Sequence, residues 1–355
     1  MRIIGIDNLK GNEIIGRDVT YENGTILLRR GTKYRHTFKP KLLEYNVLEL
    51  YIDDEISEGI VPEELISTAE KKFILKGIIM HFDQCMQNLT MDVQNLYSIS
   101  DSLMEKIFEK NIILDIMDIQ RNDDFTYEHC LNVAILAATL CYKMGLKHDL
   151  AHKIIAGALI HDIGKIILPK DILMKPGRLT KEEEKTIQTH TQLGYSMIKD
   201  NVELDAVTKV IVLCHHERQD GTGYPLKKKD DLHIGAKIVA ACDVFDALIS
   251  TRPYRMGYPI NQSLMLFRQE KLDPVVKDTL QKIVAFYPVG TTVLLNDGTI
   301  GIVEKNYLED LNRPAIKIIY DTRSMTREDS RIFLQKSLNI EIVGKLNYIP
   351  GLDNK

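Results

Sequence analysis

A chain of 355 residues with 46 basic and 50 acidic side chains, a net charge of −4 and 44% hydrophobic residues is long enough for two or three domains, and it carries no basic field that would gather a nucleic-acid polymer. Five cysteines without paired spacing argue against a disulfide framework and for reduced thiols serving as small buried hydrophobes. "MRIIGIDNLKGNEIIG" has no sustained apolar segment after its basic start, and no run approaches the roughly 18 apolar residues of a membrane span, so a cytoplasmic protein without a membrane span is expected.

Residues 1–60 read as a small β-rich domain with a regulatory role: "RDVTYENGTILLRRG" alternates around Asn23-Gly24, a favoured hairpin dipeptide. Residues 61–117 change to helical periodicity. There "LISTAEKKFILKGIIMHF" forms a connector expected to pack on the next domain, with a homodimer seam as the other use of the same face. Residues 118–287 continue the helical pattern through several start signals, among them "TKEE", in which Thr180 caps a helix and Glu183 reaches back as its capping-box partner. Residues 288–355 return to β: "TTVLLNDGTIGIVEK" folds about Asp297-Gly298, and "PAIKIIY" supplies a further strand. The predicted fold class is therefore mainly α, an all-helical domain flanked by small β-rich N- and C-terminal domains.

The chemistry lies where polar residues interrupt apolar helical faces. In "LAHKIIAGALIHDIGK" the residues Leu150, Ile154, Ile155, Ala158 and Leu159 trace one face, which His161 and Asp162 continue. Asp243 sits in the middle of the almost wholly apolar "IGAKIVAACDVFDALIS", His190 lies on the face of Ile187, Gly194 and Met197, and His129 falls in the first turn of a helix beginning near Thr126. A buried carboxylate costs several kcal/mol unless it is paired or binds a cation, so several such residues together need a shared partner. Mixed imidazoles and carboxylates suit Fe, Mn or Zn, and adjacent pairs such as His161-Asp162 and His215-His216 can serve two ions at once. His36, His81, His148, His152 and His233 have no motif around them and read as residues of solvated faces.

"HDIGK", then "LPKDILMKPGRLTKEEEKTIQTH", "HHERQDGTGYP" and "DVFDALISTRPYR", in this order over about residues 118–286, resemble the HD-GYP family, bacterial cyclic di-GMP phosphodiesterases within the HD-domain phosphohydrolases. The resemblance implies an HD-type catalytic domain whose metal ligands are His129, His161, Asp162, His190, His215, His216 and Asp243, with Asp162 bridging two ions. It places Lys165 at the scissile phosphate, Arg252 and Arg255 on the phosphates and bases of the substrate, Gly223 and Tyr224 along the substrate groove, and Asp123 against a guanine. Two divalent metals, Fe or Mn with Zn also admitted, would hold a hydroxide in line with phosphorus while neutralising the developing charge.

Some members of that family have a glutamate four residues before the first histidine that binds a third metal; here the position is Phe125, and Glu128 points about 100° away from His129 on a helix, so a third ion lacks its ligand. The implied reaction opens cyclic di-GMP to linear pGpG, with slow passage to GMP. Two alternatives stand beside it: a non-catalytic module that senses cyclic di-GMP or binds diguanylate cyclase proteins, and a hydrolase of another cyclic dinucleotide.

Overall fold

The computed structural model describes residues 1–355 except 22–24, 46, 88–89, 110–113, 116–126, 176, 230, 251–259, 308, 351 and 354–355. Asp123, Phe125, Arg252, Arg255 and the Asn23-Gly24 turn lie outside the described residues. The chain divides into two compact units, one made of residues 1–68, 113–122 and 284–355, the other of residues 69–112 and 123–283.

Unit one is built on two antiparallel sheets. Strands β1 (Arg2–Gly5), β2 (Ile14–Ile15) and β5 (Glu49–Asp53) form a three-stranded sheet with β5 in the middle, in a register that sets Ile4 opposite Leu50. The strands β3 (Val19–Tyr21) and β4 (Thr25–Leu28) pair as an antiparallel ribbon on either side of residues 22–24. Below the first sheet Ile4, Ile6, Ile15, Tyr34, Leu42, Leu50 and Ile52 close a small core, with the short helix α1 (Lys39–Glu44) supplying Leu42.

Strands β6 (Leu114–Asp115) and β7 (Val284–Ala285) make a two-residue parallel pair. Beyond them β8 (Thr292–Leu295), β9 (Thr299–Lys305), β10 (Ala315–Asp321), β11 (Thr326–Phe333) and β12 (Ile342–Leu346) form a sheet in the order β11-β10-β9-β8-β12. The Asp297-Gly298 turn between β8 and β9 forms as its dipeptide predicts: Gly298 has φ +84°, and Asp297 Oδ1 accepts from Thr299 N at 2.9 Å. The two sheets belong to one unit because Ile3 N donates to Gly290 O at 2.8 Å and Gly5 N to Asn347 O at 3.0 Å. The Arg2 guanidinium, 2% exposed, forks onto Asp353 at 2.9 and 2.5 Å and reaches Asp54 at 2.8 Å.

Unit two is helical. Helices α2 (Thr68–Met86) and α3 (Val93–Glu109) precede α4 (Tyr127–Lys143) and α5 (His148–Ile160), and α4 is buried from Cys130 to Cys141 without a break. After a short 3-10 helix (Ile163–Ile167) come α6 (Lys170–Leu173), α7 (Lys181–Gln188), α8 (His190–Ile198), α9 (Ala206–Cys214), α10 (Ile234–Ile249), α11 (Ile260–Gln269) and α12 (Pro274–Gln281). Their starts follow local sequence. Thr180 and Glu183 form the expected capping box on α7, Asp205 caps α9, and Asp273 caps α12 ahead of Pro274. All five cysteines are free and buried.

Two histidines depart from the solvated-face reading. His81 is fully buried on α2, and His152 is largely covered, bonded through Nδ1 to Asp101 at 2.5 Å and lying against Tyr97. Their helical faces are apolar enough to be drawn inward, which a search for polar motifs does not detect. His233 is a cap, its Nδ1 accepting from Gly235 N at the start of α10.

Candidate metal centre

Helix α5 ends at Ile160, so the face traced by its apolar residues does not run on through Asp162 as the periodicity implies. His161 closes the helix, Asp162 adopts φ −94° and ψ 10°, and the backbone passes into the 3-10 helix. The tighter turn sets Asp162 and Lys165 on one side, with Lys165 Nζ donating to Asp162 Oδ2 at 2.6 Å. Gly164, between them, explains the glycine of "HDIGK": a Cβ there would overlap the carbonyl oxygen of His190 and the backbone nitrogen of Gly194, so only glycine lets the 3-10 helix lie against α8.

The side chains meet in two groups. Asp162, His190, His215 and His216 form one and His129, His161 and Asp243 the other, the potential ligand atoms within each group lying within 4.8 Å of one another. Asp162 joins them: its Oδ1 is 3.3 Å from His190 Nε2 and 3.8 Å from His215 Nε2, while Oδ2 is 3.4 Å from His161 Nε2 and 3.6 Å from His129 Nε2. Asp243 reaches His129 Nε2 with Oδ1 at 3.1 Å and His216 Nδ1 with Oδ2 at 3.6 Å. Asp162 is fully buried, and its Oδ1 accepts no hydrogen bond.

Each ring is aimed from behind. His161 Nδ1 donates to Ala158 O at 2.8 Å, His190 Nδ1 to Ile187 O at 2.7 Å, and His215 Nδ1 to Val212 O at 3.1 Å. With their Nδ1 protons engaged, these rings turn Nε2 lone pairs into the cluster. His190 Nε2 and His215 Nε2 then stand 3.2 Å apart, and His161 Nε2 is 3.3 Å from His129 Nε2. Facing lone pairs at that separation repel unless a proton or a cation lies between them.

Electrostatics separate the two groups. Burial pushes the His190 imidazole down to about 4, burial reinforced by neighbouring imidazoles holds His215 well below the ordinary histidine range, and burial outweighs the pull of Asp243 to hold His216 there too, so protons do not fill the first group. In the second group burial opposes charge but is outweighed: Asp243 and Asp246 raise His129, and Asp162 with Cys130 raises His161 well above its usual value. Burial works against the Asp162 carboxylate too, yet Lys165 and His161 keep it ionised well below the usual range, and Asp243 is held down by His129 and His216. A buried anionic oxygen without a donor, among neutral imidazoles with converging lone pairs, fits a divalent cation in both ligand type and charge.

The loop after His216 covers this centre. Tyr224 stacks on the His216 ring with centroids 4.7 Å apart, and burial raises its phenol pKa. Gly223 packs where a Cβ would strike Glu217 Cα and the backbone of His216 and Arg218. The Glu217 carboxylate, 2% exposed, accepts from the backbone nitrogens of Leu226, Lys227 and Lys228 at 2.6–3.1 Å and so fixes the return of the loop. Glu128 points away from the cluster, as its place on the helix predicts, and pairs with Lys71 at 2.9 Å.

The structure thus brings together His129, His161, Asp162, Lys165, His190, His215, His216, Tyr224 and Asp243, with Gly223 in the covering turn. Sequence reasoning missed three supporting residues: Glu217, Asp246 and Asn132. Asp246 had a visible signal, a second carboxylate one turn beyond Asp243 in an apolar helix.

Residues 112–276 match the family described as HD domain. The chain is 31% identical over 252 residues to a cyclic di-GMP phosphodiesterase of Pseudomonas aeruginosa, a stretch covering 70% of this chain and 61% of that protein. It is 36% identical over 159 residues to a cyclic di-GMP phosphodiesterase of Thermotoga maritima, covering 44% of this chain and 43% of the relative. A 3′3′-cGAMP-specific phosphodiesterase of Vibrio cholerae is 34% identical over 173 residues, covering 46% of this chain and 38% of the relative. The chain therefore spans less than two thirds of these relatives. Among solved structures, an HDG"Y"P protein from Bdellovibrio bacteriovorus has the same fold, with a TM-score of 0.52 at 18% identity, covering 79% of this chain and 98% of that one.

Proposed function

We propose, from the match of residues 112–276 to the HD-domain family, that the chain is a metal-dependent phosphodiesterase of the HD-GYP kind that opens cyclic di-GMP to linear pGpG. The observation carrying this reading is the buried Asp162 Oδ1 without a donor, faced by imidazole nitrogens 3.3 and 3.8 Å away whose own protons are engaged elsewhere. Seven side chains would hold two divalent ions, Fe or Mn with Zn also compatible: His190, His215 and His216 on one, His129, His161 and Asp243 on the other, and Asp162 shared. Bound there, the pair supplies Lewis-acid polarisation of a phosphoryl oxygen and water ionised at neutral pH.

The protein's own groups do the rest. Lys165, carried one turn beyond His161, would give up part of its bond to Asp162 to face a phosphate oxygen and stabilise charge as the P–O bond breaks. Tyr224 and the Gly223 turn exclude water over His216 and offer a flat apolar wall to a nucleotide base. Arg252 and Arg255 are the proposed phosphate and base contacts and Asp123 the guanine contact. With phenylalanine at position 125, two ions rather than three are expected.

Anaerobic turnover with Mn(II) or Fe(II) against cyclic di-GMP, 3′3′-cGAMP and cyclic di-AMP tests the proposal, with metal content and a product time course from the same samples. Two ions per chain and pGpG as the dominant early product from cyclic di-GMP are the expected results. Faster opening of 3′3′-cGAMP, the substrate named for the Vibrio cholerae relative, would reassign the base read. Binding of cyclic di-GMP without cleavage at full metal content would make the chain a sensor.

A further inference from the structure

We infer that Asp246 is a positioning residue for one of the two metal subsites, acting through His129, and that the two subsites consequently differ in affinity. The inference deepens the metal-dependent reading above and rests on it. Asp246 is 2% exposed and lies one turn beyond Asp243 on α10. Its Oδ2 accepts from His129 Nδ1 at 2.7 Å, while Oδ1 takes Asn132 Nδ2 at 3.0 Å and Ser250 Oγ at 3.2 Å. Asn132 is one turn after His129 on α4, and Ser250 one turn after Asp246 itself. The carboxylate is therefore locked to both helices before it touches the ring.

The asymmetry lies in what backs each imidazole. His161, His190 and His215 give their Nδ1 protons to backbone carbonyls, which are neutral acceptors fixed by their own helices. His129 gives its proton to a carboxylate. An anionic acceptor behind a ring makes the opposite nitrogen a stronger donor and holds the ring plane, and losing such a partner typically costs 10- to 100-fold in metal affinity. The effect should fall on the ion held by His129, His161 and Asp243, and leave the ion of His190, His215 and His216 alone.

Calorimetric titration of the full chain with Mn(II), paired with electron paramagnetic resonance of the loaded protein, is the test. Asp246→Asn keeps shape and removes charge; the expected result is one subsite weakened about 10- to 100-fold, the other unchanged, and the signal of a coupled pair replaced by that of an isolated ion. In a His129→Ala background the same substitution should add nothing, because its route to the metal has been removed. Ser250→Ala, which loosens the carboxylate without discharging it, should weaken the same subsite by a smaller factor and carries the test if Asp246→Asn does not fold. Wild-type affinity at both subsites, equal weakening of both, or additive losses with His129→Ala would overturn the inference while leaving the metal centre standing. A wild-type chain that takes up no Mn(II) or Fe(II) would sink both.

Discussion

Lys165 is tied in the structure to the ligand it is expected to work beside, 2.6 Å from Asp162 Oδ2. Its two roles, holding Asp162 and stabilising a phosphate, predict different losses. Lys165→Ala should lower kcat by about 10²- to 10³-fold, the scale of removing one group that stabilises transition-state charge, with metal content kept because every ligand remains. A variant that loses metal in parallel with rate would place Lys165 among the supports of the cluster instead. The residues that meet in the cluster were legible in the sequence: His129, His161, Asp162, His190 and Asp243 interrupt apolar helical faces, and the adjacent His215 and His216 stand out in the HD-GYP-like run "HHERQDGTGYP". Asp246 was legible only as a second carboxylate one turn beyond Asp243; its role depends on meeting His129 across two helices, and spacing along one helix does not report which neighbour faces it. His81 was misread for the opposite reason: it has no motif, and it is nevertheless buried.

Between elements, the approach of the 3-10 helix to α8 is as close as backbone allows. Gly164→Ala should destabilise the protein by about 1–3 kcal/mol or more through overpacking, and the strain falls on His190, whose carbonyl the new methyl would strike. Lower metal content together with a lower melting temperature is the expected result; a stable variant with full metal would show that the helices can part. The packing of α2 on α3 makes a second prediction. His81 sits on α2 with both ring nitrogens, and Asn95 Oδ1 beside it, lacking hydrogen bonds, and burial lowers its pKa against the weak opposing pull of Gln84, Asp92 and Asn95. The folded state therefore keeps His81 neutral where the unfolded chain takes up a proton, so stability is full above about pH 6.5 and falls as the pH drops below that. His81→Leu should flatten this acid-side loss in melting temperatures measured from pH 7.5 to about 5, and an unchanged slope would assign the loss to other groups. At this scale local chemistry was readable, as in the Thr180–Glu183 box and the Asp297-Gly298 turn. The end of α5 at Ile160 was not, because the apolar period continues past it and only the contact with α8 imposes the tighter turn.

At the scale of the whole molecule the β signals at both ends of the sequence were plain, whereas their union in one unit rests on pairings between residues hundreds of positions apart, which no local pattern encodes. Arg2 is the test of that union: Arg2→Ala leaves Asp353 buried without its fork and should cost about 3–5 kcal/mol in denaturant unfolding of unit one. A loss under about 1 kcal/mol, as for exposed pairs, would mean that water reaches Asp353 and the contact contributes little. The same split governs the order in which a ribosome delivers the parts. Residues 1–68 emerge before the rest, but Gly290 and Asn347, whose carbonyls receive Ile3 and Gly5, and the Asp353 carboxylate that receives Arg2, are made only after residue 283. At about 5–20 residues per second, the stretch between them takes on the order of tens of seconds to synthesise. For that interval β1 has its partner β5 but Ile3 N and Gly5 N lack their acceptors and Arg2 has only Asp54 to answer it, whereas both stretches of unit two, residues 69–112 and 123–283, are made before Gly290 and Asn347 appear. Translation thus completes the middle of this protein before its beginning.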